Sequence, residues 1–220
     1  MSTKDSDMTL IASFQAGSTY ILVGDLLISS DRKREMPLDI PTRFSKNQPK
    51  ANLQFSGLLQ KLVIINDNLA VGWSGSRINA KSIIHHVKDN IQSPYSGEQI
   101  LELIASSGLS EGELKSIHLI FYAHNAEERQ LICQDYLVGE TVFPNGNKIK
   151  YSGSGVFHFF DSTAFEMLAV EGEQNDFMKT PYAILGRMSV AFYEEIITDT
   201  NHNYYYAGGF ELTCSPESGS

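Results

Sequence analysis

The chain has 220 residues, 42% hydrophobic and 10% aromatic, enough to bury roughly 70% of the unfolded surface around one core, so a single compact domain is expected. Lys and Arg number 17 against 26 Asp and Glu, a formal net charge of -9 that repels phosphate backbones and anionic lipid surfaces and excludes nucleic acid and membrane as expected partners. The two cysteines, Cys133 and Cys214, are too few and too far apart for a disulfide framework or a paired zinc site. No apolar run approaches the roughly 18 residues of a membrane span, and MSTKDSDM lacks the basic and hydrophobic regions of a secretory signal, so a cytoplasmic location is expected.

Residues 1–8 are polar and charged and read as a mobile tail or removable leader, with one domain over residues 9–220. TLIASF and YILVGDLLISS are rich in β-branched and aliphatic residues and flank the turn sequence QAGST, which predicts a β-hairpin. Residues 31–57, with DRKRE and Pro37, Pro41 and Pro49, have no sustained periodicity and read as a long surface excursion. LLQKLVII and LAVGWSG form a second strand pair around Asn66, Asp67 and Asn68, whose short polar side chains suit a tight turn.

Gly75 leads into a helix whose apolar residues Ala80, Ile83, Ile84, Val87 and Ile91 recur at three and four positions. Ser96 and Gln99 are spaced as a capping box for another helix, with Ile100, Leu101, Leu103 and Ile104 as its apolar face and Gly108 as its end. SIHLIFYA, RQLICQDYLV and NKIKYSG read as strands, and YSGSGVFHFFDSTAFEMLAV as a glycine turn entering a helix. Thr180-Pro181 opens a further helix through Ile184, Met188, Phe192 and Ile196, and NYYYAGGFELTC is the last strand. This order contains no βαβ alternation, which argues against a doubly wound parallel sheet and for helices covering largely antiparallel sheets.

The informative pattern is the spacing of a few polar residues and glycines. Thr9 opens the first strand, Gly24-Asp25 follows 16 residues later, Lys61 lies near the start of the strand pair ending in Trp73-Ser74-Gly75, and Gly153-Ser154-Gly155 and Gly208-Gly209 come later in the chain. In this the chain resembles the proteasome β-type subunits, from Thr9 to about Cys214. The resemblance implies an N-terminal nucleophile hydrolase fold: a four-layer αββα sandwich with two largely antiparallel sheets between helix layers. It further implies Thr9 as nucleophile, Asp25 and Lys61 as its charged partners, Gly75 as oxyanion donor, and Ser154 beside the threonine. A peptide or amide substrate, a homo-oligomer of ring form and an unfoldase partner follow from the same resemblance, and neither cofactor nor metal is expected.

The residue types suit that chemistry. A threonine hydroxyl is a weak nucleophile and needs a base within reach, which a free α-amine on the same residue supplies. A lysine ammonium nearby disfavours a second positive charge on that amine and lowers its pKa, and a carboxylate keeps the lysine charged. A backbone N–H at a residue without a side chain can approach a forming oxyanion; losing one such donor costs roughly 100-fold or more in rate. Taken singly, the same residues are a strand threonine, an ordinary ion pair and a helix lead-in.

Four positions depart from the family pattern. Met8 stands where self-processing members carry glycine, so autolysis after Met8 is not expected, whereas initiation at Met8 and removal of that methionine exposes Thr9. Tyr204 and Ala207 replace an aspartate and a serine that support the threonine, and Leu10 replaces a second threonine. Met8, Tyr204 and Ala207 motivate the competing reading, a non-catalytic scaffold or binding subunit that keeps residues 1–8. By resemblance Trp73 and Arg77 line the pocket for the residue before the cleaved bond, a narrow pocket favouring a small or acidic side chain. Elsewhere, His85-His86 point about 100° apart on a helix and read as surface, and His118 as a hydrogen-bonded, partly buried strand imidazole.

Overall fold

The computed structural model describes residues 10–16, 19–30, 54–125, 130–142, 148–153, 186, 189 and 210–214. These hold β1 (Ile11–Ala16), β2 (Thr19–Asp25), β3 (Leu27–Ser30), β4 (Gln54–Leu58), β5 (Leu62–Asn66), β6 (Leu69–Gly75), α1 (Arg77–Asn90), α2 (Gly97–Ala105) and α3 (Glu111–Leu114). β7 (Ile117–Asn125), β8 (Gln130–Tyr136), β9 (Gly139–Val142), β10 (Lys148–Ser152) and β11 (Phe210–Cys214) complete the set. A five-stranded sheet runs β11-β2-β1-β10-β9, a four-stranded sheet runs β5-β6-β7-β8, and β3 pairs with β4. Every pairing among the described residues is antiparallel.

The expected hairpin is present as β1 and β2, in register from Ile11 opposite Gly24 to Ala16 opposite Thr19, but its second arm, expected to run on through LLISS, ends at Asp25, and Leu27–Ser30 pairs with β4 instead. The second pair is β5 and β6, closed where Asn66 Oδ1 accepts from the Asn68 amide at 2.9 Å. The surface excursion over residues 31–57 is corrected at its end, because Gln54–Leu58 is a strand paired with β3. The mixed sequence QFSGL carries no alternation, so its pairing is set by the partner strand and not by a pattern of its own.

Strand alternation sorts side chains onto two faces. On β6 and β7, Leu69, Val71, Trp73, Ile117, Leu119, Phe121 and Ala123 turn to one side and pack with Ala80, Ile83, Ile84 and Val87 of α1 and Ile100 and Ile104 of α2. Full burial of each Ile or Val contributes about 1.5–3 kcal/mol relative to exposure. The helix faces thus follow the expected spacing except at Leu101, which is exposed, because a residue directly after Ile100 is turned about 100° off the buried stripe. α2 ends at Ala105 rather than at Gly108, and the turn beyond it hands the chain to α3, opened by a Ser110–Glu113 capping box.

From the other face of β7, Ile120 and Tyr122 meet Ile11, Leu22 and Leu62, so this cluster joins the two larger sheets. Ala12, Phe14, Ile21, Val23 and Ile149 occupy the alternate positions of the five-stranded sheet and are buried as well. Side chains on both faces of that sheet are therefore buried. The predicted helices over residues 156–196 lie outside the described residues apart from helical Gly186 and Ser189, as do residues 203–209 of the last strand. No helix among the described residues is long and apolar enough to cross a membrane.

Candidate active site

Asp25 is the last residue of β2 and Lys61 immediately precedes β5, so strand ends from two different sheets bring them together. Asp25 is 0% and Lys61 2% exposed. The Lys61 Nζ donates to Asp25 Oδ1 at 2.5 Å, and the same oxygen accepts from the Leu10 amide at 2.8 Å. Asp25 returns its own amide to the Leu10 carbonyl at 3.0 Å. Withdrawing two ions from water costs several kcal/mol each, which only a close, hydrogen-bonded pair offsets. The residue that follows Thr9 in the chain is thus fastened at both backbone groups to the aspartate that holds Lys61.

Lys61 is fixed through its backbone too: its carbonyl accepts from the Trp73 amide at 3.0 Å. This ties it to β6, two residues before Gly75. Gly75 has φ +88°, and a Cβ there would stand 2.2 Å from the Ser116 carbonyl oxygen, so both the conformation and the space require glycine. Beyond it, Ser76 donates its amide to that same oxygen at 2.9 Å and caps α1 with backbone alone, its hydroxyl making no cap hydrogen bond and the first turn carrying no acidic residue. The positive end of α1 therefore lies uncompensated by a side chain beside Gly75.

Of the expected site residues, the structure brings Asp25 and Lys61 into contact and puts Gly75 on the strand bonded to Lys61. Thr9 and Ser154 lie outside the described residues, as do Met8, Tyr204 and Ala207. Trp73 is buried against α1 and α2, and Arg77 is exposed as the first residue of α1. His85 is exposed, and His118 is partly buried with its ring nitrogen against the Leu137 carbonyl. Among the described residues no three His, Cys, Asp or Glu gather as a metal site.

Two polar features were not anticipated from the sequence. Ser74 and Ser152 are hydrogen-bonded at 3.2 Å between the two sheets. Farther along the same interface, Ser13 pairs with Tyr122, Tyr122 donates to the Ile21 carbonyl at 3.3 Å, and Lys150 pairs with Asp135. Burial disfavours the Lys150 charge, but the hydrogen bond to Asp135 and the neighbouring Cys133, Asp135 and Glu140 outweigh it and raise its pKa. Burial likewise pushes the Cys133 thiol up to about 11, against the Lys150 charge and the Ser13 hydrogen bond. Strand alternation foretells which of these positions face inward; it does not foretell which inward polar groups meet.

No protein-family model matches the chain, and no curated protein sequence matches it. Among solved structures, the crystal structure of eukaryotic HslV from Trypanosoma brucei is similar, with a TM-score of 0.47 and 18% identity over 93% of this chain and 98% of that one.

Proposed function

We propose that the chain is a threonine-type N-terminal nucleophile hydrolase of proteasome β type, cleaving peptide or amide bonds through Thr9 when Thr9 is the first residue. The observation that carries this reading is the buried Asp25–Lys61 pair fastened to the Leu10 amide. A cation is kept out of water against the carboxylate that holds the residue after Thr9, a costly arrangement that the threonine's chemistry explains.

The Thr9 hydroxyl gives its proton to the Thr9 α-amine, and the oxygen attacks the substrate carbonyl. The Lys61 charge, held by Asp25, lowers the amine's pKa from about 8 toward neutrality and favours the alkoxide. The oxyanion accepts a hydrogen bond from the Gly75 amide, at the positive end of α1. Collapse expels the leaving amine, which takes the proton back from the α-ammonium with Ser154 as relay, and water then hydrolyses the ester on Thr9. Arg77, exposed at the start of α1, borders the pocket for the residue before the cleaved bond and favours an acidic side chain there, whereas Trp73 is packed in the apolar cluster against α1 and α2.

The same reading completes the architecture. Ala12, Phe14, Ile21, Val23 and Ile149 are buried on the sheet face away from Leu62, and the apolar pattern over residues 156–196 supplies the helices that make a four-layer αββα sandwich. Assembly into a homo-oligomeric ring with an unfoldase partner, in the cytoplasm, belongs to this proposal.

The test is a chain beginning at Thr9, compared with its Thr9→Ala variant for hydrolysis of peptide substrates. Hydrolysis should vanish in the variant while the circular dichroism and oligomeric state persist. Undiminished hydrolysis in the variant overturns the mechanism. A native chain that keeps residues 1–8 and takes no threonine-directed label is instead the non-catalytic scaffold that Met8, Tyr204 and Ala207 suggest.

A further inference from the structure

We propose that Ser74 and Ser152 form a latch between the two sheets that sets the position of the Gly75 backbone; they are positioning residues for the reaction proposed above, on which their catalytic consequence rests. Ser74 is 1% and Ser152 7% exposed, and their hydroxyls are bonded at 3.2 Å. Ser74 is the penultimate residue of β6 and Ser152 the last of β10, so the bond joins the four-stranded sheet to the five-stranded one at strand ends.

The residues that follow give the bond its meaning. Ser74 is followed by Gly75 at φ +88° and Ser152 by Gly153 at φ +116°. Both strands thus leave their sheets through a glycine in a conformation that other residues rarely adopt, one toward α1 and the other toward Ser154 and Gly155. A chain that turns through glycine has little side-chain packing to locate it. Here the residues before the two glycines are tied to each other, so one buried contact joins the two turns directly, beyond the Ser13–Tyr122 and Lys61–Asp25 contacts elsewhere between the sheets.

The surroundings favour positioning over simple stability. Ser152 stands opposite Ile11 on β1, and Ile11 opposite Gly24 on β2, one residue before Asp25. This row faces β6, where Ser74 shares the side occupied by Gly72, whose missing side chain leaves room for Leu22. A pair of apolar residues could fill such a position without the cost of desolvating two hydroxyls. The serines keep a directional contact between two segments that must hold a fixed spacing if Gly75 is to meet an oxyanion, because misplacement by about 1 Å can cost 100-fold in rate.

The experiment uses the chain beginning at Thr9 with Ser74→Ala, Ser152→Ala and the double variant, read by amide hydrogen exchange and by peptide hydrolysis. Either single variant should accelerate exchange at both strand ends together, Gly75–Ile78 and Gly153, while Val71 and Phe121 amides stay protected. In hydrolysis each should lower kcat by roughly tenfold or more with KM changed less than about twofold, and the double variant should be no worse than the worse single. Exchange that rises only at the strand carrying the substitution overturns the latch whether or not the protein is an enzyme. Coupled exchange with kcat unchanged overturns its positioning role. Coupled exchange in a protein whose unsubstituted form hydrolyses no peptide supports the latch and counts against the hydrolase reading alone.

Discussion

The four-stranded sheet has two sides that solve burial differently. Toward α1 and α2 it presents Leu69, Val71, Trp73, Leu119 and Phe121, all apolar, packed on helix residues of the same kind. Toward the five-stranded sheet the same elements supply Lys61, Gly72, Ser74 and Tyr122, facing Ser13, Gly24 and Ser152. The first side is what hydrophobic burial alone selects. The second buries an ion pair and hydroxyls that cost desolvation and need specific partners. That side also holds the apolar cluster of Ile11, Leu22, Leu62 and Ile120; stability does not call for the polar groups set beside it, and they locate the region that the fold keeps for something else.

The sharpest way to break this comparison is to remove one group from each side. Lys61→Ala leaves Asp25 charged and buried, and should destabilise by about 3–5 kcal/mol in denaturant titration and reduce peptide hydrolysis at least about 100-fold under conditions where the variant remains folded. Ile83→Ala on the helix side should cost a comparable 2–5 kcal/mol yet leave kcat of the folded fraction within about twofold. Equal catalytic losses would mean that the two sides do not differ in role.

A smaller effect is expected at Gly75. Gly75→Ala must shift a backbone that already sits at positive φ, since its Cβ would meet the Ser116 carbonyl, and thermal melting should show a loss of about 1–3 kcal/mol. Hydrolysis should fall by more than that loss of folded protein explains.

The smallest effect concerns Cys133, which lines the polar side without belonging to the Asp25 site. With its thiol pushed up to about 11, only about one part in a thousand is thiolate at pH 8. Alkylation by iodoacetamide should be slow there, rise roughly tenfold per pH unit between 8 and 10, and level off only near 11. Rapid alkylation at pH 7 would show a reactive thiol where burial predicts an inert one.

What the sequence showed follows from how each signal arises. α1 was legible because Ala80, Ile83, Ile84 and Val87 carry the helical period themselves, and the two strand pairs because turn residues separate aliphatic runs. β4 was not, since QFSGL becomes a strand through its partner Leu27–Ser30, and β9 was not, since GETV shows only a short alternation of exposure against β10. The Asp25–Lys61 contact was reachable only through the spacing of the family pattern, because 36 positions separate the two. The Ser74–Ser152 bond had no signal: two serines among many, 78 positions apart, meet only once the sheets are stacked.

The central claim is that the buried pair at Asp25 and Lys61 serves a nucleophile at Thr9. The most direct measurement is peptide mapping by mass spectrometry of a chain beginning at Thr9 after reaction with a threonine-directed electrophile, alongside the same chain carrying Lys61→Ala. One adduct on Thr9, strongly reduced in the variant while the variant is still folded, is the predicted result. An unlabelled Thr9, or labelling as fast in the Lys61→Ala chain, would contradict it.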